Sequence, residues 1–109
     1  MVERVSDVKN AVNRYCQELD RMGIQCERVL LFGSYAAGQA TEGSDIDLIV
    51  ISQALEAYSP RERLELLGIA AARVLEPIQA LGVTPKEATA RRVSPFVQEL
   101  LDQHAVVIA

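Results

Sequence analysis

The sequence predicts a single α/β or α+β domain with a small mixed sheet flanked by helices. Its 109 residues suffice for one domain and not for two. Half of them are apolar, which favours a packed core over disorder. Apolar residues recur at helical spacing in some segments and in short β-branched runs in others, so helices and strands alternate along the chain.

The first half of the chain contains one helix and two strands. Apolar residues at three- and four-residue steps over 5–22 predict an amphipathic helix. A short apolar strand over 29–32 follows and stops at Gly33. After a small and polar stretch, in which a turn or short helix is expected, the β-branched run over 45–51 predicts a buried strand.

The second half alternates helices and strands as well. Segments 59–62 and 84–87 each combine a capping box with a proline at the first helical position, and therefore predict helix starts. Pro77 is expected to end the first of these helices. The remaining predicted elements are a weaker strand over 78–83, interrupted by Gly82, a short helix over 94–103 and a small strand over 105–108.

Composition disfavours several classes of function. The net charge of −4 argues against a large basic surface for nucleic acid, and the absence of Trp leaves few rings on which bases could stack. The longest apolar run, 48–51, is far too short to span a membrane. No signal-like segment opens the sequence, so a cytoplasmic protein is expected. Cys16 and Cys26 match no metal-ligand spacing, and we expect them to pack.

The stretch between the first two predicted strands carries the candidate chemistry. Gly33 allows a close approach of backbone to ligand, and Ser34 follows at the start of a turn whose N–H groups and hydroxyl suit phosphate oxygens. Asp45 and Asp47 share one face of a strand, about 7 Å apart, and can converge on Mg²⁺ or Mn²⁺. The alternative is a solvated acidic edge. It is disfavoured because the two aspartates open an apolar strand, where unpaired charge is costly.

These residues also carry a family resemblance. The pattern Gly33-Ser34, Gly38 and Ser44-Asp45-x-Asp47 resembles the signature of the polymerase-β-type nucleotidyltransferase superfamily. It is most similar to the minimal nucleotidyltransferases, which include antitoxin-like proteins. The resemblance covers nearly the whole chain, although only its first two strands and the loop between them are sharply diagnostic. It implies the polymerase-β-like nucleotidyltransferase fold.

The resemblance implies roles for five residues. Gly33, Ser34 and Ser44 would bind the substrate, ATP or another nucleoside triphosphate. Asp45 and Asp47 would be catalytic and would bind two Mg²⁺ ions, with Mn²⁺ as a substitute. On this expectation the metals align the reacting oxygens and neutralise the charge that develops on them.

A third carboxylate, which the family usually places on the next strand, is ambiguous in this sequence. Counting back from Thr84 without a gap leads to Gln79, which is not a carboxylate. The nearest acid, Glu76, requires a shift of three residues and is the candidate third catalytic and metal-binding residue. Its alternative is an ordinary exposed residue at a helix end. With Gln79 at this position, the chemistry would be weakened or lost.

The resemblance further implies a protein partner. Minimal members resemble the antitoxin halves of toxin–antitoxin pairs, which bind small helical HEPN-type partners and can adenylylate them. We therefore expect Mg²⁺-dependent transfer of NMP, in the first place AMP from ATP, to a hydroxyl of a protein. The acceptor surface would come from that partner or from a second copy of the chain. Two alternatives stay open: an inactive module that neutralises a partner by contact, and a nucleotidyltransferase acting on an aminoglycoside-like small molecule.

Overall fold

The computed structural model describes residues 5–41, 43–104 and 106–108, and within them the expected order of helices and strands is confirmed. A 3₁₀ turn at Gln53–Ala57 and a π-helical turn at Leu100–His104 were not predicted. The helices and strands are α1 (Val5–Arg21), β1 (Arg28–Phe32), α2 (Gly33–Ala36), β2 (Ile46–Ile51), α3 (Pro60–Val74), β3 (Ile78–Val83), α4 (Pro85–Thr89), α5 (Pro95–Glu99) and β4 (Val106–Val107).

The four strands form one mixed sheet in the order β3-β2-β1-β4. β1 pairs antiparallel with both β2 and β4, whereas β2 and β3 are parallel. A parallel pair requires a crossover connection, and α3 supplies it. This sheet with its flanking helices confirms the predicted fold class. The pairing places Phe32, Asp47 and Gln79 side by side in one row across three strands.

The two faces of the sheet are covered unequally. α1 and α3 pack on one face and bury most of the core, and the hydroxyl of Tyr15 joins them by donating to the carbonyl of Leu67 at 2.9 Å. Cys16 and Cys26 lie half-buried against this core. The opposite face carries a smaller buried cluster near α5, formed by Leu30, Ile49, Ile51, Val83 and Leu100.

Local signals account for where α3 and α4 begin. Ser59 and Thr84 each accept a hydrogen bond from the backbone N–H three residues later, and both capping boxes are complete. α3 ends earlier than Pro77 predicts, because Leu75 takes the left-handed conformation with φ 57°.

The predicted interruption of β3 at Gly82 is wrong. The strand runs through this residue to Val83, in register with β2. A Cβ at Gly82 would lie 2.9 Å from Leu55 Cδ1 and 3.1 Å from Leu67 Cδ1. The glycine therefore allows close packing of α3 and the 3₁₀ turn against the strand, and it does not break the strand.

Arg63 on α3 is a buried residue whose role the sequence did not indicate. Its Nε donates to the carbonyls of Leu55 at 3.0 Å and Tyr58 at 3.1 Å. Its Nη1 donates to the carbonyl of Gly82 at 3.4 Å and to Glu87 Oε1 at 2.7 Å. One guanidinium thus connects the 3₁₀ turn, the end of β3 and α4.

Within the described ranges, no helix combines the length and apolar character needed to cross a bilayer.

Candidate active site

Two aspartates and a glutamine meet where β2 begins. Asp45 directly precedes the strand and is exposed, whereas Asp47 is its second residue and is half-buried. Gln79 stands opposite Asp47 in β3, and its Nε2 donates to Asp45 Oδ2 at 2.9 Å. The predicted pair of carboxylates therefore exists as a cluster, with an amide as its third member.

The negative charges of the two carboxylates repel each other. Burial raises the pKa of Asp47, and the neighbouring charge of Asp45 raises it further. The amide of Gln79 gives Asp45 a hydrogen bond and no positive charge. A divalent cation at this position would relieve the repulsion, and Mg²⁺ is commonly held by one or two carboxylates together with substrate phosphates. The donor set fits such an ion.

Gly33 packs directly on this cluster. Its φ of 73° lies in the left-handed region, and a Cβ would overlap Oδ2 of Asp47. Both the backbone conformation and the close approach therefore require glycine. Ser34 follows in α2, half-buried, so the glycine–serine turn lies beside Asp47 on the β1 side of β2.

Ser44 closes the turn that leads into Asp45. Its Oγ accepts a hydrogen bond from the N–H of Thr41 at 2.9 Å, and its own N–H donates to the carbonyl of Thr41 at 3.0 Å. These bonds fix the loop immediately before the aspartates. The structure thus places Ser44 next to the site with its hydroxyl already engaged in the turn.

Glu76 is not brought to the aspartates. Its carboxylate forms an ion pair with Arg14 of α1, whose guanidinium also donates to the carbonyl of Val74. Parallel pairing of β2 and β3 places Gln79 opposite Asp47, and Glu76 precedes the strand. Among the described residues, no group of three or more His, Cys, Asp or Glu side chains could hold a metal ion. In this structure the neighbour of the two aspartates is Gln79, and Glu76 lies outside the cluster.

An apolar groove that the sequence analysis did not predict opens from the aspartate cluster. Its volume is about 490 Å³. Phe32 and Phe96 meet edge-to-face in its wall, with ring centroids 6.4 Å apart. Leu64 and Gly68 of α3 form another part, and Asp47 reaches it from the cluster. Residues from five elements (β1, β2, α3, β3 and α5) form this groove, so no local sequence pattern predicts it.

Comparison with protein families gives a match to the nucleotidyltransferase domain over residues 10–106. This range contains the aspartates, the glycine–serine turn and the neighbouring strands. The chain belongs to the nucleotidyltransferase domain family.

Known members resemble the chain over most of its length. A candidate protein adenylyltransferase of Methanocaldococcus jannaschii is 27% identical over 108 residues, covering 92% of this chain and 71% of that protein.

Two solved structures share the fold. The crystal structure of a candidate nucleotidyltransferase from Sulfolobus solfataricus has a TM-score of 0.61 at 17% identity, over 93% of this chain and 78% of that one. A toxin–antitoxin crystal structure with AMP-PNP has a TM-score of 0.63 at 19% identity, over 93% and 72% of the two chains. Together with the family match, these two structures confirm the predicted polymerase-β-like nucleotidyltransferase fold.

Proposed function

We propose that this nucleotidyltransferase domain transfers the AMP group of ATP to a hydroxyl of a protein. The observation that carries the proposal is the packing of Gly33 on Asp47 beside Asp45, in a chain that belongs to the nucleotidyltransferase family. A close backbone turn next to a carboxylate pair suits a metal-bound triphosphate. The name of the archaeal relative supports a protein as acceptor, and the toxin–antitoxin neighbour supports a partner protein. That this partner is a small helical protein of the HEPN type is part of the proposal and follows from the family resemblance.

In this proposal the site residues hold and orient the triphosphate. Asp45 and Asp47 would bind Mg²⁺, which would polarise the phosphate oxygens and neutralise developing charge. Gly33 and Ser34 would present backbone N–H groups and a hydroxyl to the phosphates from the β1 side. Ser44 would act on the nucleotide indirectly, because its bonds to Thr41 position the loop that leads into Asp45.

The reaction is a displacement at the α-phosphorus. The acceptor hydroxyl oxygen forms a bond to this phosphorus, and the bond to the oxygen that bridges towards the β-phosphate breaks. Pyrophosphate leaves with the electron pair, and the hydroxyl proton passes to water. Gln79 occupies the place nearest the two aspartates, and an amide is not a base at neutral pH. We therefore expect transfer to be slow compared with a site that has three carboxylates.

Replacement of the aspartates tests the proposal. The protein is incubated with Mg²⁺, ATP labelled at the α-phosphate and the purified product of the neighbouring gene. Wild type should label that protein, and γ-labelled ATP should not. Asp45→Asn and Asp47→Asn should each abolish labelling, whereas Asp20→Asn on the exposed side of α1 should not. Undiminished labelling by both aspartate variants would rule out the proposed site.

A second candidate function is favoured by Gln79. A site with two carboxylates and an amide suits a domain that neutralises its partner by contact alone. In that case wild type transfers no label, while Asp45→Asn and Asp47→Asn bind the partner as tightly as wild type in a calorimetric titration. Transfer of the α-phosphate label to the partner by wild type would show that the domain is an enzyme and would contradict this second candidate.

A further inference from the structure

The apolar groove beside the aspartates has an open strand edge as one wall. It is bounded by Leu64 and Gly68 of α3, by Ala80 and Leu81 of β3, and by Phe96 of α5. β3 is the outermost strand of the sheet on this side. Leu64 is 56% exposed and Phe96 60% exposed, and a Cβ on Gly68 would meet no described atom within 4 Å outside its chain neighbours and its own helix backbone. The apolar walls are thus accessible to a ligand.

The groove extends past the aspartates to the edge of β3, away from the glycine–serine turn, and Phe32, which directly precedes Gly33, forms its other end. Gly33 and Ser34 follow β1 directly, and β1 and β3 flank β2 on opposite sides. In a displacement at phosphorus, the entering and leaving oxygens are roughly in line, on opposite sides of the reacting centre. With the leaving pyrophosphate held near Gly33, as the proposed function has it, the acceptor hydroxyl would approach from the side of β3, where the groove meets the strand edge.

The edge of β3 also offers backbone hydrogen bonds to an occupant. The N–H groups of Ile46 and Ser52, at the two ends of β2, donate to the carbonyls of Pro77 and Val83. The odd-numbered residues of β3 therefore direct their backbone groups towards β2. In a parallel ladder the even-numbered residues therefore direct their N–H and C=O groups outward. The carbonyl of Gly82 accepts from Arg63. Ala80, within the groove, is the outward-facing residue next to it.

We propose that this groove binds an extended segment of the acceptor protein, in which apolar residues flank the hydroxyl-bearing residue that receives AMP. The inference rests on the proposed function for the reaction and on the groove for the binding. Backbone groups of the segment would pair with Ala80, and its apolar side chains would pack on Leu64 and Phe96. Among the described residues, no basic side chain lines the groove, so these residues lack the charge that a nucleic acid acceptor would require.

Binding is tested with a synthetic peptide, independently of any turnover. The probe is a blocked peptide with one tyrosine between valines, at millimolar concentration, titrated into ¹⁵N-labelled protein and followed by NMR. The amide signals of Ala80 and Leu81 should shift. A comparison peptide with the valines replaced by prolines should leave them unchanged, because proline has no N–H and cannot pair with the edge.

Two variants of α3 test whether the peptide binds in the groove. Leu64→Glu places a charge in the groove and should weaken peptide binding about tenfold, since the charge must be buried against apolar side chains. Ile69→Glu is the matched control, because Ile69 is 44% exposed on α3 and does not line the groove. Binding of Mg²⁺ with AMP-PNP should be the same in both variants as in wild type.

The outcomes separate the groove from the reaction. Peptide binding that Leu64→Glu weakens and Ile69→Glu does not supports the groove, even if no AMP is transferred in any assay. The proposal is overturned if the peptide leaves Ala80 unshifted or if both variants weaken it equally. It is also overturned if AMP-PNP, instead of the peptide, shifts Ala80 and is weakened by Leu64→Glu, because the groove then holds the nucleotide base.

Discussion

Gly33 and Gly38 share a left-handed backbone and differ in what an added side chain would meet. Their φ values are 73° and 71°, yet a Cβ on Gly33 would overlap Asp47, whereas one on Gly38 would meet none of the described residues beyond its chain neighbours within 4 Å. Gly33→Ala and Gly38→Ala should each lower the free energy of unfolding in urea by about 1 kcal/mol from backbone strain alone.

Only Gly33→Ala should also displace the Asp47 carboxylate. Calorimetric titration with Mg²⁺ and AMP-PNP should therefore show a loss of affinity of about tenfold for Gly33→Ala and no change for Gly38→Ala. Equal affinities in the two variants would mean that the contact with Asp47 does not matter for the nucleotide.

Gln79 is the second residue whose effect can be isolated. Gln79→Glu replaces a hydrogen-bond donor to Asp45 by a third negative charge. Without metal, repulsion should lower the free energy of unfolding by about 1–2 kcal/mol. With Mg²⁺ the same carboxylate should become a ligand. Binding that is about tenfold tighter would raise the free energy of unfolding by about 1.4 kcal/mol at saturating Mg²⁺.

The measurement for Gln79→Glu is thermal unfolding in EDTA and across a series of Mg²⁺ concentrations. Its midpoint should lie below that of wild type in EDTA and should rise more steeply with Mg²⁺. Gln25→Glu, an exposed residue between α1 and β1, adds the same charge elsewhere and should give the wild-type response. A variant that responds to Mg²⁺ as wild type does would place the ion away from residue 79.

At the scale of elements, Arg63 and Glu87 connect α3 to α4. Burial by itself would raise the pKa of Glu87, but hydrogen bonds from Arg63 and the Thr84 backbone outweigh it, and the pKa is lowered. A lowered pKa means that the charged form stabilises the fold. Glu87→Gln should therefore lower the free energy of unfolding by about 1–2 kcal/mol at pH 7.

Because the pKa of Glu87 is lowered in the folded protein, the stability difference between wild type and Glu87→Gln depends on pH. The advantage of wild type over Glu87→Gln is complete above the ordinary glutamate pKa of about 4.3 and disappears as pH falls through the lower pKa of the folded state. Urea unfolding between pH 7 and pH 3 measures it. Glu65→Gln removes an exposed ion pair with Arg61 and should cost less than about 0.5 kcal/mol at any pH. A constant difference between wild type and Glu87→Gln would contradict the role of this charge.

Elements that depend on local signals could be predicted from the sequence, whereas their contacts could not. The capping boxes at Ser59 and Thr84 involve residues three apart, and both helices begin where they were expected. The neighbour of Asp47 depends on how β3 aligns with β2 after the α3 crossover. An ungapped count reached Gln79, but a preference for an acid pointed to Glu76. The contacts of Arg63 could not be predicted, because three of its hydrogen-bond partners lie eight to 24 residues away along the chain.

At the scale of the molecule, the two faces of the sheet are covered unequally, and we expect the local stability of the fold to differ between them. The long helices α1 and α3 bury one face, whereas the face that carries Asp47 is covered by the five-residue helices α4 and α5 and the π-helical turn after α5. Most of α5 is exposed or half-exposed, and β4 pairs with β1 through only two residues. Asp47 therefore lies in the central part of the sheet, in a strand paired on both sides, while Phe96 lies in the smaller layer that covers this face.

Native-state hydrogen exchange in increasing urea should reveal this division. Amides of Leu48 and Val50 in the doubly paired β2 should exchange only on global unfolding. Amides of Val97 and Gln98 in α5 should open with a free energy at least about 2 kcal/mol lower, because few buried contacts hold the segment. The valine–tyrosine peptide should raise protection in α5, since Phe96 forms part of the groove. Equal opening free energies in α5 and β2 would show that the sheet and its cover unfold as one unit.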